Sequence, residues 1–317
     1  MNVKLKRLQI FNRFFFLILL SVNVWIFIDR DNNFAYKEVL NYNQLYADTV
    51  DIQKWKQTSP YTTQEEINTA KNILKDSVQI NNSENSIQKI SKIGSYVLAA
   101  LDNHRGQPAD CMKNTSPLKE FFFASNNKSE VWCGNFANIF SFFANTAGIP
   151  TRYVAEEGNK NNQHVLNECF VKELNQWVLV DLTSKIILAK NKWGNYLNTI
   201  DLYHAHILKT DSISVSSCEN KISVITGYSS LRNFYDSFFD TRSLFVFYLS
   251  AQFDKNLYSV SSKIKRYFTK SPTFACYENT NISSNNRFYV KIFSFYLFFA
   301  FVIYWIAFSF LTNRMKK

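Results

Sequence analysis

Glycine and proline are scarce, at seven and five in 317 residues, which excludes a collagen-like or freely flexible chain. No repeat is visible, and low-complexity sequence is confined to short polar stretches such as SENSIQ and TNISSNN, which read as loops. What remains, 46% hydrophobic and 17% aromatic, is the composition of a packed protein, long enough for one sizeable domain plus accessory segments and for two domains at most. A concentrated positive patch is also missing. The formal charge is +11, but Lys4, Lys6, Arg7, Arg13, Arg314, Lys316 and Lys317 supply seven of it from the two ends, leaving about +4 between them. A nucleic-acid surface clusters its charge on the folded body, so no nucleic-acid partner is expected.

Charge is absent altogether from two segments. Residues 292–312, IFSFYLFFAFVIYWIAFSFLT, are long enough to cross a hydrocarbon core of ~30 Å as a helix, which predicts a transmembrane segment over 291–312. Residues 14–28 are also uncharged and reach a full span if 8–12 join them and Arg13 snorkels to the headgroups. The following IDRDNNFAYKEV lacks a small-x-small cleavage site, which favours an uncleaved signal anchor over a cleaved signal peptide. Positive flanks stay in the cytoplasm, so tails 1–13 and 313–317 are expected there and everything between the spans on the other side, in a bacterium the periplasm or exterior. Cys111, Cys133, Cys169, Cys218 and Cys276 would then sit where disulfides persist. Their odd number leaves at least one unpaired or bonded between chains. Whether the four besides Cys133 pair is left open, isolated buried thiols being the alternative.

Between the spans, Thr62 and Glu65 are spaced as a capping box ahead of Ile67, Ala70, Ile73, Leu74 and Val78, an amphipathic helix. A second helix is carried by Ile87, Ile90, Ile93, Val97, Leu98 and Leu101. HRGQPADCMKNTSPLKE offers Gly106, Pro108 and Pro117 as breakers and predicts a long surface connection. From Gly134 the pattern is helical again, with Phe136, Ile139, Phe140, Phe143, Ala144 and Ala147 on one face and Gly148 and Pro150 closing it. Three strands are expected next, at 151–156, 164–171 and 176–182, the last two joined as a hairpin through 172–175. Further on, SISVSS and KISVIT are candidate strands. FYDSFFDTRSLFVFYLSAQF reads as helix or strand, too charged and interrupted to cross a membrane.

Cys133 stands at the start of the third helix. A helix N-terminus aims unpaired amides and the positive end of its dipole at whatever lies there, which stabilises a thiolate. With an even number of residues in the hairpin loop, His164 faces position 181 or 183, and the side chains of His164 and Asp181 share one face. A carboxylate beside an imidazole fixes its tautomer and stabilises its charged form, the orienting role in a nucleophile-base-acid triad. Taken singly, each residue has a structural reading: a buried thiol, a strand histidine, a turn aspartate. His204 and His206 would share a face on a strand but not on a helix, and no Cys, Asp or Glu cluster accompanies them. No metal and no cofactor are expected.

Taken together, the blocks VWCGNFANIFSFFANTAGIPTRYV, HVLNECFV and WVLVDLT resemble the transglutaminase-like superfamily, whose core is similar to a rearranged papain fold. In that resemblance Cys133 matches the nucleophile, His164 the base and Asp181 the acid. Gly148, Ile149, Pro150, Thr151 and Arg152 match the helix exit and first strand, Asn167 and Glu168 the continuation after the base, and Trp177 a strand aromatic. The matched blocks lie within a stretch of about fifty residues, 131–183, with a weaker likeness around His104. Leu166 stands where an aromatic is usual, which predicts looser packing around the imidazole, and Cys169 stands where an aliphatic residue is usual. The resemblance implies an α+β fold, a nucleophile helix packed on an antiparallel sheet, flanked by the two apolar helices. It also implies a cysteine peptidase, amidase or acyltransferase working through a thioester. The Cys133 amide is an oxyanion donor, and Trp132 either adds its indole N–H or walls the cleft.

The resulting organisation is a tail (1–13), a signal-anchor helix (14–28), a helical extension (29–103), the catalytic core (104–183), a C-terminal extension of unknown role (184–290), a membrane helix (291–312) and a tail (313–317). The expected partners are a protein or peptide substrate at the cell envelope and the lipid bilayer. A catalytically inactive binding or scaffold protein with the same fold is the competing reading.

Overall fold

The computed structural model describes residues 3–28, 34–46, 52–55, 59–157, 163–209, 213–219, 222–230, 232–239, 243–254, 256–257, 259–277 and 285–314. In chain order its helices are α1 (Val3–Ile28), α2 (Tyr42–Tyr46), α3 (Ile52–Trp55), α4 (Gln64–Asp76), α5 (Ser86–Leu101), α6 (Pro117–Ser125), α7 (Cys133–Thr146), α8 (Thr199–Ile207), α9 (Arg232–Tyr235), α10 (Val260–Phe268) and α11 (Asn286–Arg314). Its strands are β1 (Glu38–Leu40), β2 (Thr151–Glu157), β3 (Gln163–Val171), β4 (Gln176–Val180), β5 (Leu188–Lys190), β6 (Ser214–Glu219), β7 (Ile222–Gly227), β8 (Leu244–Tyr248) and β9 (Phe274–Tyr277). The chain divides into two units: one of residues 1–37, 256–272 and 284–317, the other of 38–255 and 273–283.

The larger unit is α+β. Its main sheet runs β1-β9-β8-β2-β3-β4, with β1 parallel to β9 and the other neighbours antiparallel. A smaller antiparallel sheet runs β5-β6-β7, so SISVSS and KISVIT do form paired strands. The α7 helix packs on one face of the main sheet, where Phe136, Phe140 and Phe143 meet Leu74, Val97, Phe121, Val171 and Val178 in one apolar core. Leu45, Trp55, Leu166, Trp177, Tyr235, Phe245 and Phe247 fill the other face. The exit of α7 follows from Gly148, whose φ of +82° lets Ile149 N–H reach back to the Ala144 carbonyl at 2.9 Å.

Four local readings differ. The first capping box is one residue later, on Thr63 and Glu66, because Glu66 is also held by the buried Ser116 hydroxyl and only that frame satisfies both. Pro117 does not break a helix but begins α6: proline is tolerated at the first helical position, and Ser116 caps it. The third expected strand stops at Val180, because Asp181 leaves β3 and exchanges backbone hydrogen bonds with Ile186 at 2.7 and 2.8 Å. The unresolved aromatic stretch divides into α9, β8 and a short 3-10 turn, and β8 pairs with β2 at the centre of the sheet. Most of the TNISSNN loop lies outside the described residues.

The smaller unit contains two helices long and apolar enough to cross a membrane, over Arg7–Ile28 and Asn286–Thr312. They are antiparallel neighbours. Phe15 meets Phe301 with ring centroids 5.0 Å apart, Phe16 meets Trp305 at 4.9 Å, and Asn23 Nδ2 donates to Ser294 Oγ at 3.1 Å. Many of their other large side chains, among them Ile10, Phe14, Trp25, Phe293, Ile303 and Ile306, are exposed.

At the centre of the larger unit lies a fully buried cation. Arg152 on β2 donates through Nε to Glu168 Oε2 at 2.8 Å and through Nη1 to the Leu45 carbonyl at 3.2 Å. Its guanidinium lies 4.2 to 5.0 Å from the ring centroids of Trp177, Trp55, Phe247 and Tyr46. Glu168, its partner across the β2–β3 ladder, also accepts from Tyr46 OH at 2.8 Å and from the Thr199 amide at 2.7 Å. One ion pair thus ties α2, α3, α8 and four strands together.

Candidate active site

Cys133 is the first residue of α7, behind an extended Trp132 whose amide donates to Asn135 Oδ1 at 3.1 Å. Asn135 in turn donates to Glu120 at 3.1 Å, and Asn138 does so at 2.9 Å. Burial pushes the Glu120 carboxyl up to about 7, and these two amides hold it down.

The sheet supplies a second contact to the sulfur. Leu179 N–H points away from β3, to the Leu197 carbonyl at 2.9 Å, so the alternate residues Val178 and Val180 exchange bonds with Cys169 and Asn167. By the same parity Val165 N–H faces the β4 side, where the ladder has already ended. There it donates to the Cys133 thiol. The nucleophile candidate therefore occupies the edge position that a longer β4 would have filled.

His164 lies on β3, and Val171 pairs with Gln176 across the four-residue turn, so extending the register places 164 opposite 183 and diagonal to 181. His164 Nε2 lies 2.8 Å from Asp181 Oδ2, and the imidazole also hydrogen-bonds Cys133. Since Nε2 is engaged by the carboxylate, Nδ1 is the atom left for the sulfur. The structure thus brings Cys133, His164 and Asp181 into one chain of contacts.

Asp181 accepts from more groups than the histidine. Ser184 Oγ at 2.6 Å and Tyr235 OH at 2.5 Å reach Oδ2, while the amides of Thr183 and Ser184 reach Oδ1 at 3.1 and 3.2 Å. Only an ionised carboxylate, which accepts on every lone pair and donates nothing, suits such a set. Burial pushes the Asp181 carboxyl up, but the imidazole and the two hydroxyls outweigh it, and it lies below the usual carboxylate range. For His164 burial favours the neutral ring, yet Asp181 and then Cys133 overcome it and raise the imidazole to about 10. For Cys133 burial favours the thiol, and the His164 bond, its charge and the Val165 amide reverse this and bring it below its ordinary value. The same contacts therefore favour the charged forms of both groups, thiolate on Cys133 and imidazolium on His164.

Leu166 does not loosen the imidazole. His164 is 1% exposed, packed by Phe238 with ring centroids 4.9 Å apart and by Phe234 at 5.3 Å. The aromatic cover comes from α9 and the turn after it instead of from β3.

Arg105 is a second residue that sequence spacing did not single out. It pairs with Val131, two residues before the nucleophile candidate, stacks on Phe136 of α7 at 4.8 Å and donates to the carbonyls of Thr183 and Leu182 at 2.6 and 3.1 Å. Asp102 holds it at 2.8 Å and also takes Lys185 Nζ at 2.8 Å. It clamps the turn that carries Asp181 to the segment that carries Cys133. His104 contributes its carbonyl, accepting from Val131 N–H at 2.7 Å.

Trp132 is 55% exposed beside the sulfur-bearing residue. His204 and His206 lie on α8 and diverge: His206 is buried, 2.9 Å from Tyr228 OH and 3.2 Å from Asp236, while exposed His204 lies 3.4 Å from Tyr277 OH. Among the described residues no three metal-ligating side chains converge. Cys111 is exposed and free, whereas Cys169 and Cys276 are buried, and the Cys218 side chain lies outside the described residues.

Residues 57–182 match the model of the Transglutaminase-like superfamily. The match takes in α4, α5 and the three sequence blocks as far as Leu182. No curated protein matches the chain. Two solved structures do: "a Putative Cysteine Protease from Cytophaga hutchinsonii" and "a putative protease from Parabacteroides distasonis". The first is 16% identical with a TM-score of 0.30, over 53% of this chain and 50% of its own. The second is 16% identical with a TM-score of 0.26, over 50% of this chain and 27% of its own.

Proposed function

We propose that this chain, whose residues 57–182 match the transglutaminase-like superfamily, is a membrane-anchored cysteine enzyme whose triad is Cys133, His164 and Asp181. The observation that carries this is the contact chain from sulfur to imidazole to a carboxylate bound by four further donors. The thiolate attacks an amide carbonyl, forming the S–C bond. The Cys133 amide, which has no acceptor four residues back in its helix, stabilises the oxyanion. His164 then gives its proton to the leaving nitrogen as the C–N bond breaks, leaving a thioester on Cys133. Asp181 keeps the ring oriented and its charge balanced. Trp132 walls the cleft. Water resolving the thioester makes the enzyme a peptidase or amidase; a primary amine makes it a crosslinking acyltransferase, and His164 serves as base in either case.

Thiol reactivity tests this. With iodoacetamide at neutral pH, Cys133 should react faster than exposed Cys111. Its rate should fall as acid returns the proton to the thiolate, with an inflection below the ~8.5 of an ordinary thiol. Equal rates would favour the inactive scaffold.

The apolar helices α1 and α11 support anchoring: each is long enough to span, and lipid would cover their outward side chains. Lys4, Lys6, Arg7 and Arg13 precede the uncharged run 14–28, and Arg314, Lys316 and Lys317 follow the run 292–312, which favours termini in the cytoplasm and the enzyme domain outside it, with protein or peptide substrates of the envelope in reach. A reporter active only outside the cytoplasm should be on when fused after Thr183 and off when fused after Lys317; the reverse would invert the topology.

A further inference from the structure

Resting on the spanning role of α1 and α11, we propose that α10 is a third membrane element, lying in the surface of the outer leaflet and binding anionic phospholipid headgroups. The sequence from Asn256 to Pro272 carries Lys263, Lys265, Arg266 and Lys270 and not one carboxylate. At 100° per residue, Val260, Ile264, Tyr267 and Phe268 fall on one stripe of the helix and Lys263, Lys265 and Arg266 on the rest, with Lys270 just beyond its end. That stripe is only partly used within the protein. Tyr267 is buried, its hydroxyl donating to Asn23 Oδ1 at 3.1 Å and its ring 5.5 Å from that of Phe295, while Phe268 meets Phe295 at 4.6 Å. Val260, Ile264 and Phe268 remain 66%, 49% and 48% exposed.

The neighbours fix the depth. Asn23, Phe27 and Phe295 lie within the two apolar helices, near the ends that lead toward the enzyme domain. Lys291, at the head of α11, places its ammonium 4.9 Å from the Tyr267 ring centroid. A helix level with that ammonium and in contact with Phe27 and Phe295 sits where hydrocarbon meets headgroups. Beneath it Val24, Phe27, Ile264, Phe268, Phe295 and Phe299 border an almost wholly apolar cavity of about 400 Å³, continuous with the exposed stripe. Acyl chains match the cavity and stripe, and phosphate headgroups match the cations, so the occupant is a leaflet containing anionic phospholipid.

The full chain carrying p-benzoylphenylalanine in place of Ile264, in vesicles of phosphatidylcholine with one-third phosphatidylglycerol, should crosslink to lipid on irradiation. The same probe in place of Ser262, on the opposite face, should not. Phe299, replaced likewise, reports the span itself. Lipid on Phe299 and not on Ile264 overturns the role of α10 and leaves the spans standing; lipid on neither removes both. Replacing Lys263, Lys265, Arg266 and Lys270 together by glutamine should bring the share of phosphatidylglycerol among the Ile264 adducts down to its share of the vesicle. An unchanged enrichment would overturn the headgroup assignment.

Discussion

Replacing His164 by alanine should lower kcat by roughly 10²–10⁴-fold, the usual worth of a positioned general acid-base group. At about 1.4 kcal/mol per decade this is roughly 3–5 kcal/mol of transition-state stabilisation. Three groups are affected at once. Cys133 is deprived of the donor and the positive charge that offset its burial, so its thiol pKa rises and less thiolate exists at neutral pH. The leaving nitrogen has no proton source. Asp181, still bound by Ser184 and Tyr235, becomes a buried anion without its cation. Alkylation separates the first effect from the second: iodoacetamide needs no proton donated to it, so its rate should report the thiolate fraction alone, and its pH inflection should move upward. If kcat falls while the inflection stays in place, the imidazole does not ionise the sulfur. Asp181→Asn should act in the same direction, since one of its side-chain atoms becomes a donor facing hydroxyl donors.

The second large effect is on stability. Arg152→Met should destabilise the folded chain by about 3–5 kcal/mol, because it leaves Glu168 charged, fully buried and deprived of its partner. At about 2–4 °C per kcal/mol for a unit of this size, the melting temperature should fall by roughly 6–20 °C. The double change Arg152→Met with Glu168→Leu should recover most of that stability, since it removes the stranded anion as well as the cation. Thermal unfolding of the three forms, followed by circular dichroism, decides it. A single variant that melts within about 2 °C of the parent, less than 1 kcal/mol would produce, means that water or another group reaches Glu168.

What could be read from the sequence, and what could not, divides by the distance over which the information acts. Cys133 at the head of a helix, and the shared face of His164 and Asp181, follow from local rules: a cap position and the parity of a four-residue hairpin. Arg152 and Glu168 were visible only through family resemblance, and the fold supplies the reason, a ladder pair inside an aromatic cage. Tyr235 stands 54 residues beyond the carboxylate it bonds. No period or spacing announces such a pairing. Ser184 had a fainter signal, a hydroxyl three residues after an aspartate in a turn. Arg105 lay in a segment noted for its histidine, and its role depends on carbonyls of the turn after Asp181, which only the folded chain brings near. The span 184–290 looked like an appendage because its strands are short and interrupted, yet β8 pairs with β2 and the aromatic turn beyond α9 covers the imidazole.

Whether Cys133 carries a thioester is decided by the mass of its peptide after brief exposure of the protein to envelope proteins and an acid quench. An acyl adduct on Cys133 that hydroxylamine releases should be found, absent from Cys133→Ser as a thioester and strongly reduced in His164→Ala. Catalysed turnover with no adduct on that peptide, and full activity in Cys133→Ser, would contradict it.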